Sequence, residues 1–586
     1  MFRLFKNLTR HDFCFIILIL LAIVAQVWLE LKMPDYMSEI TILVQSEGSE
    51  MADILRNGGF MLLCALGAFL ANAVSGYFIS VVAASFSMHT RKVLFDKVED
   101  LSINEVKGFS TSSLITRTTN DITQIQMLLS MGMRMIVRAP LTAGWAIFKI
   151  ANKSWQWSSI TAVAVVLILA VNAVIMALVT PRFKVIQKLT DKLNGVAREN
   201  LKGIRVVRAF NAEKYQERKF EKTNSKLTNT QIFVQNVFSV MGPSMYLVMY
   251  GVTLAIYFAG AYIIDGAAMQ DKLTIFGDMV VFSTYAMHVI MSFLVLTMIF
   301  MMLPRAQVSA KRVNDVLDAE ISVKDGTRTE GEANMHGVVE FRKVSFRYPG
   351  AEDYLLKDIS FTAQRGETVA FIGSTGSGKS TLINLVPRFY DATDGAVLVD
   401  GVDVREYKLQ ALNNKISYVP QKAVLFDGTV KSNVTYGDNG RGKIHEKKVH
   451  EAIRVAQAKK FVEKMPDDYD SHIAQGGTNI SGGQKQRLAI ARAIARDPEI
   501  YIFDDSFSAL DYKTDATLRT ELKKYTKDAT SLIVAQRIGT IMHADKILVL
   551  DKGVCVGMGT HKELMKNCEI YKQIALSQLT KEELNA

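Results

Sequence analysis

The stretch ETVAFIGSTGSGKSTLINLVPRF, residues 367–389, places a short apolar strand, a glycine-rich turn and a helical pattern in one continuous run. The turn at 373–380 fits G-x-x-x-x-G-K-[ST] in the strand-to-helix context that gives the pattern its meaning. Gly373, Gly376 and Gly378 let the backbone of Ser374, Thr375 and Ser377 wrap a phosphate with N–H groups, and the helix start that follows adds a favourable dipole. Lys379 is placed to reach the outer phosphates and Ser380 to hold Mg2+, with Thr381 closing the loop.

Outward from this loop, VVEFRKVSFRY and IYIFDD are further strand patterns alternating with helical ones, so an α/β domain around a mainly parallel sheet begins near residue 338. The run YIFDDSFSALD, 501–511, ends a buried strand in two carboxylates. Asp504 suits a magnesium-phosphate site. Asp505 stands where an ATPase of this kind places a general base, for which glutamate is the usual choice. NISGGQKQRLAIARA, from Asn479, is a second small-residue turn opening a basic helix. A second anion-binding helix start in one chain suggests service to a nucleotide held by another chain.

The first half has a different texture. The chain has 586 residues, 49% hydrophobic and 22% charged, a mean hydropathy of +0.14 and a net charge of +11. Six apolar stretches near 12–33, 58–83, 133–152, 156–180, 237–264 and 275–303 are long enough to cross a bilayer, the third and fourth separated by a turn around Asn152, Lys153 and Ser154. Lysines and arginines crowd 181–232, from Arg182 to Lys226, and recur in 84–131, whereas 32–57 is net acidic. The positive-inside rule puts both long loops and both chain ends in the cytoplasm. These loops, patterned like VARENLKGIRVVRAFNAEKYQERKF, read as helical rods that carry force to the α/β domain. Such spans exclude a nucleic-acid-handling role for the basic charge. Cys14, Cys64, Cys555 and Cys568 have no metal spacing and read as ordinary reduced cysteines.

The order Tyr348, the loop 373–381, Gln421 in YVPQKAVLF, ISGGQ at 480–484, Asp504 and SALD at 508–511 resembles the ATP-binding cassette (ABC) transporters, and the preceding spans resemble their exporter branch. The resemblance implies a membrane α-helical domain of six transmembrane helices with long cytoplasmic extensions, the type I exporter arrangement, joined to an α/β P-loop nucleotide-binding domain. It divides the chain into a transmembrane domain 1–303, a linker 304–337, a nucleotide-binding domain 338–577 and a tail 578–586. By the same resemblance Tyr348 stacks on the adenine of ATP. Gln421 touches Mg2+ and the attacking water. Ser481, Gly482, Gly483 and Gln484 bind the γ-phosphate of an ATP on the opposite subunit, and Asp511 communicates between the two sites. The loop turns near 108–116 and 206–213 would be coupling helices.

Two positions depart from the family pattern. The catalytic glutamate is replaced by Asp505, one methylene shorter, and the switch histidine by Gln536, which cannot carry a positive charge. Both changes weaken hydrolysis and spare binding, while ISGGQ is intact. The economical reading is a heterodimer with a second half-transporter, in which this chain keeps the degenerate site, as in bacterial multidrug exporters. The last span holds Met279, Met287, Met291, Met298, Met301 and Met302 with Phe276, Phe282, Phe293 and Phe300, a surface suited to varied apolar ligands and equally to packing. No dense charged cluster is expected inside the spans, with Asp278 and His288 the exceptions in the last one. The expected cargo is therefore amphipathic or hydrophobic, and a strongly charged hydrophilic one is disfavoured.

Overall fold

Uninterrupted apolar runs free of turn chemistry propagate helices until caps or loops stop them. The computed structural model describes residues 2–46, 49–151, 154–269, 271–437 and 439–579, with the backbone alone for Phe2, Thr297, Met298, Phe300 and Met301. The chain divides into two compact units, Met1–Glu99 with Thr111–Ala319, and Asp100–Ser110 with Glu320–Ala586.

In chain order the long helices are α1 (Arg10–Gln45), α2 (Met51–Asp100), the short α3 (Ile103–Phe109), α4 (Ile122–Ala151), α5 (Trp155–Lys202), α6 (Glu213–Ser239), α7 (Met241–Asp265) and α8 (Lys272–Leu317). Thr9 starts α1 with a capping box: its backbone N–H donates to Asp12 Oδ2 at 2.7 Å. The 48 residues of α5 extend about 70 Å, more than twice a hydrocarbon core of about 30 Å. The polar rods expected from sequence are thus continuations of the spanning helices. The core of this unit gathers Ile23, Val82, Ile256, Phe282 and Tyr285, all fully buried, with Trp157 against Phe282 at 5.4 Å between ring centroids.

Among the described residues five helical stretches are long and apolar enough to cross a membrane. The third of the six expected stretches is the exception. It forms the 30-residue α4, but Arg134, Arg138 and Lys149 lie along it. The expectation of spans without a dense charged cluster is corrected here. Arg138 Nη2 donates to Glu30 Oε1 and Oε2 at 3.0 and 2.9 Å, and Lys149 Nζ to Asp35 Oδ2 at 2.7 Å. Arg138 and Lys149 find their complements on a neighbouring helix more than a hundred residues away, so reading the spans one by one hides the cluster. The methionine-phenylalanine surface of α8 also divides: Met279 and Phe282 are buried in the core, and Met291 is exposed. Met298, Phe300 and Met301 lie outside the described side chains, and Asn152 and Lys153 outside the described residues.

The second unit is built on strands β1 (Val339–Phe346), β2 (Leu356–Ala363), β3 (Thr368–Gly373), β4 (Asp394–Val399), β5 (Ile416–Val419), β6 (Ile500–Asp504), β7 (Thr530–Val534), β8 (Lys546–Asp551) and β9 (Val554–Gly559). The larger sheet runs β9-β8-β3-β7-β6-β5, parallel throughout except for β9 against β8. A smaller antiparallel sheet packs β1 between β2 and β4. All five residues of β6 are buried, as a parallel strand covered on both faces requires. Because β3, β5, β6 and β7 are parallel, their carboxyl ends share one edge. That edge receives Gly373, Gln421, Asp504 with Asp505, and Gln536.

Phe371 sits fully buried in β3 and stacks edge-on against Phe361 at 5.4 Å. Phe371→Ala is expected to destabilise this unit by about 3–5 kcal/mol. Calorimetry of the detergent-solubilised protein reads this as a lowered melting transition of the second unit.

Candidate functional site

The phosphate loop needs backbone conformations that side chains resist. Gly376 and Gly378 have φ of +85° and +95°, and a Cβ on Gly378 would come within 2.6 Å of Leu356 Cδ2. Gly378 opens the helix that begins at Lys379. Lys379 Nζ folds over the loop and donates to the carbonyls of Gly373 and Ser374, both at 2.8 Å. Burial lowers the pKa of its ammonium, against the pull of Asp505 and Asp504. An ammonium held over a loop of inward N–H groups is a ready partner for phosphate oxygens.

Ser380 Oγ donates to Asp504 Oδ1 at 2.7 Å, tying the loop helix to the tip of β6. Tyr418, at the end of β5, donates to the other oxygen, Asp504 Oδ2, at 3.2 Å. Burial raises the Asp504 pKa, while these two donors and the Lys379 ammonium lower it. A serine hydroxyl in contact with a carboxylate is a hard-oxygen pair of the kind Mg2+ prefers, and Gln421 beside it can add an amide oxygen.

Asp505 adopts φ of +47°, a left-handed conformation that Asp tolerates better than most residues. Its N–H donates to Val534 O at 2.9 Å. Two amides converge on one atom of its carboxylate: Gln536 Nε2 at 2.7 Å and Gln421 Nε2 at 3.2 Å, both to Oδ2. Burial raises the Asp505 pKa. The two residues in which this chain departs from the family pattern are therefore in direct contact.

Gln536 is itself held from behind. Gln578, the last residue of the helix Glu569–Gln578, donates through Nε2 to Gln536 O and accepts through Oε1 from Ile538 N, each at 2.8 Å. Sequence reading missed Gln578, since nothing local links residues 42 apart. It also missed Tyr418, although YVPQ sets it three residues ahead of Gln421.

The expected adenine platform, Tyr348, borders a cavity of about 570 Å³ that Tyr390 and Asp391 also line. The Tyr348 ring meets Phe346 and Tyr390 edge-on at 5.0 and 5.4 Å, and its hydroxyl lies 2.9 Å from Thr381 Oγ1. The short helix α3 belongs to this unit, and Lys107 Nζ donates to Tyr390 OH at 2.8 Å. Of the expected coupling turns, 108–116 covers the end of α3, Ser110 and the helix Thr111–Thr116, and 206–213 overlaps the helix Ile204–Ala209 and the turn that follows it, in the first unit.

Ser481 caps the helix Gly482–Ala495 in a reciprocal box with Gln484: Ser481 N donates to Gln484 Oε1 at 2.8 Å, and Gln484 N to Ser481 Oγ at 3.3 Å. The box leaves the N–H groups of Gly482 and Gly483 for an outside anion. Among the described residues no hydrogen bond joins 481–484 to the loop 373–381. Asp511 caps the following helix, Tyr512–Tyr525, accepting from Thr514 N at 3.0 Å. Thus Lys379, Ser380, Gln421, Asp504, Asp505 and Gln536 form one site, Tyr348 stands at its rim through Thr381, and 481–484 stands apart.

The family model for the ABC transporter transmembrane region matches residues 13–293, and that for the ABC transporter itself matches 356–508. An uncharacterized ABC transporter ATP-binding protein of Mycobacterium tuberculosis is 39% identical over 557 residues, 93% of each chain. The ATP-dependent lipid A-core flippase of Pseudomonas aeruginosa is 34% identical over 504 residues, covering 85% of this chain and 80% of the flippase. In structure, a bacterial Atm1-family ABC exporter with ATP bound superposes with a TM-score of 0.81 over 98% of this chain and 99% of that one, at 24% identity.

The Asp505 environment has a thermodynamic signature. A carboxyl whose pKa is raised on folding contributes stability that is fully present below its unfolded pKa, about 3.9, and is lost as pH rises through the folded value. At pH 7.5 ionised Asp505 therefore costs stability. Asp505→Asn, which can still accept from both amides, is expected to melt at a higher temperature than the wild type at pH 7.5. The gap should narrow as pH falls into the acid range, which thermal melts across pH will read.

Proposed function

The chain belongs to the ABC transporter family and has the type I exporter fold, and on that premise we propose that it is the half of a heterodimeric exporter that holds the weaker of two ATP sites. ATP-driven transport coupled to ATPase activity is the family's work. The finer assignments are supported by the site geometry as follows.

ATP would lie with its phosphates on the loop 373–381, its outer phosphates met by Lys379 and its adenine on Tyr348. Ser380, Asp504 and Gln421 would hold Mg2+, whose charge offsets that of the phosphates. The observation that carries the degenerate-site reading is the double donation to Asp505 Oδ2. A general base needs a free lone pair pointed at the water it activates. With two amide donors on Oδ2, that atom has little left for water, and the shorter side chain draws it back from the phosphate. Gln536 is a neutral donor where a histidine could offer a charged one. The intact ISGGQ would meanwhile complete the partner's site, where a glutamate would hydrolyse ATP. Closure of the two nucleotide-binding domains would move the spanning helices between inward and outward access.

The basic loops between spans support a plasma-membrane protein with the nucleotide-binding unit and both termini in the cytoplasm. The cargo is an amphipathic or hydrophobic compound of the multidrug type. A second reading is a homodimer that moves lipid, with Asp505 as a working base. It is favoured by the relatives named as lipid A-core flippases.

ATPase assays of the reconstituted chain, alone and with a second half-transporter that carries the glutamate, separate the two. The heterodimer reading expects low activity alone, a rise of about tenfold or more with the partner, and a modest effect of Asp505→Glu, a tenfold rate being ~1.4 kcal/mol of barrier. Strong activity alone, abolished by Asp505→Ala, would establish the homodimer.

A further inference from the structure

The charges on α4 form a pattern. At 3.6 residues per turn, Arg134, Arg138, Thr142 and Lys149 fall within an arc of about 80° on one face. Two of the three cations are matched by α1: Arg138 by Glu30, which also accepts from Gln26 Nε2 at 2.9 Å, and Lys149 by Asp35. Asp35 is steadied in turn by Tyr285, whose hydroxyl lies 2.8 Å from Asp35 Oδ1 and 2.7 Å from Leu31 O. Arg134 has no ion-pair partner among the described residues. Its guanidinium lies against Gly76 of α2, where a Cβ would come within 2.7 Å of Nη2. The missing side chain at Gly76 is what gives the guanidinium room. One turn beyond Arg138, the buried Thr142 Oγ1 has no hydrogen-bond partner among the described residues.

This face therefore holds one positive charge in excess. Arg134 is about 25 Å along the helix from Ala151, within the depth of a hydrocarbon core of about 30 Å. An uncompensated guanidinium at that depth calls for an anion, and its planar fork suits a phosphate better than any neutral headgroup. With both α1 carboxylates already paired, the face offers a single net positive charge, which suits one anionic charge and not a polyanion. We propose that the Arg134 face of α4 is a binding site for an amphiphile with a single anionic phosphate headgroup, the headgroup on Arg134 and the chains along the neighbouring apolar helices. This rests on the export reading and narrows its cargo, but not on how hydrolysis is shared between two subunits.

The test uses the full chain in detergent, without nucleotide turnover, and the binding of fluorescent phosphatidylglycerol and fluorescent phosphatidylcholine. The wild type is expected to prefer phosphatidylglycerol by at least about tenfold, one charge-assisted contact's worth. Arg134→Gln should abolish that preference by weakening phosphatidylglycerol more than the zwitterionic phosphatidylcholine, whose remaining binding also reports that the variant is folded. Arg134→Lys, which keeps the charge, should retain part of the preference, and Gly76→Val, which crowds the guanidinium, should reduce it. Equal affinity for both lipids in the wild type, or a preference that survives Arg134→Gln, would overturn the proposal. Displacement of phosphatidylglycerol by millimolar inorganic phosphate would overturn it too, by assigning the face to a soluble anion. Failure here with normal partner-dependent ATPase activity would leave the export reading standing.

Discussion

The hydrogen bond from Ser380 to Asp504 is the joint on which the nucleotide site depends. It fastens the helix that opens on the phosphate loop to the tip of a strand buried along its whole length. Parallel strands lie on either side of that strand, so its end cannot shift without disturbing β5 and β7 as well. Gln421 follows one of these neighbours and Gln536 the other. The two amides that meet at Asp505 are thus set by sheet register, a rigid framework, and side-chain reach decides the rest.

Much of this was legible in the sequence. The phosphate loop, the two aspartates and the signature turn are local patterns whose residues do their work within a few positions of one another. Spans and basic loops are likewise local statements about solvent. What could not be read were the contacts made across long separations. Asp505 and Gln536 could each be singled out, but their meeting on one oxygen depends on β6 and β7 being adjacent. Tyr418 became meaningful only once β5 was seen beside β6.

The transmembrane unit gives the same lesson with a different outcome. Hydropathy judges each helix as if it stood alone in lipid. By that measure the charges of α4 are isolated faults in an otherwise suitable span. In three dimensions α1 answers most of them, and the helix becomes a lined face, sheltered by its neighbours. Holding a half-buried ion pair in this way is tolerated when the geometry is good and further lone pairs are satisfied, as Gln26 and Tyr285 do here.

The grip of Gln578 on the backbone around Gln536 has a consequence of its own. It ties the site to a helix that lies well beyond it in sequence. Among the described residues the helix Glu569–Gln578 makes no hydrogen bond to Lys379, Ser380 or Asp504, yet it holds the backbone from which the Gln536 amide reaches the Asp505 carboxylate. The seating of a helix beyond residue 568 is thereby part of what sets the Asp505 contacts.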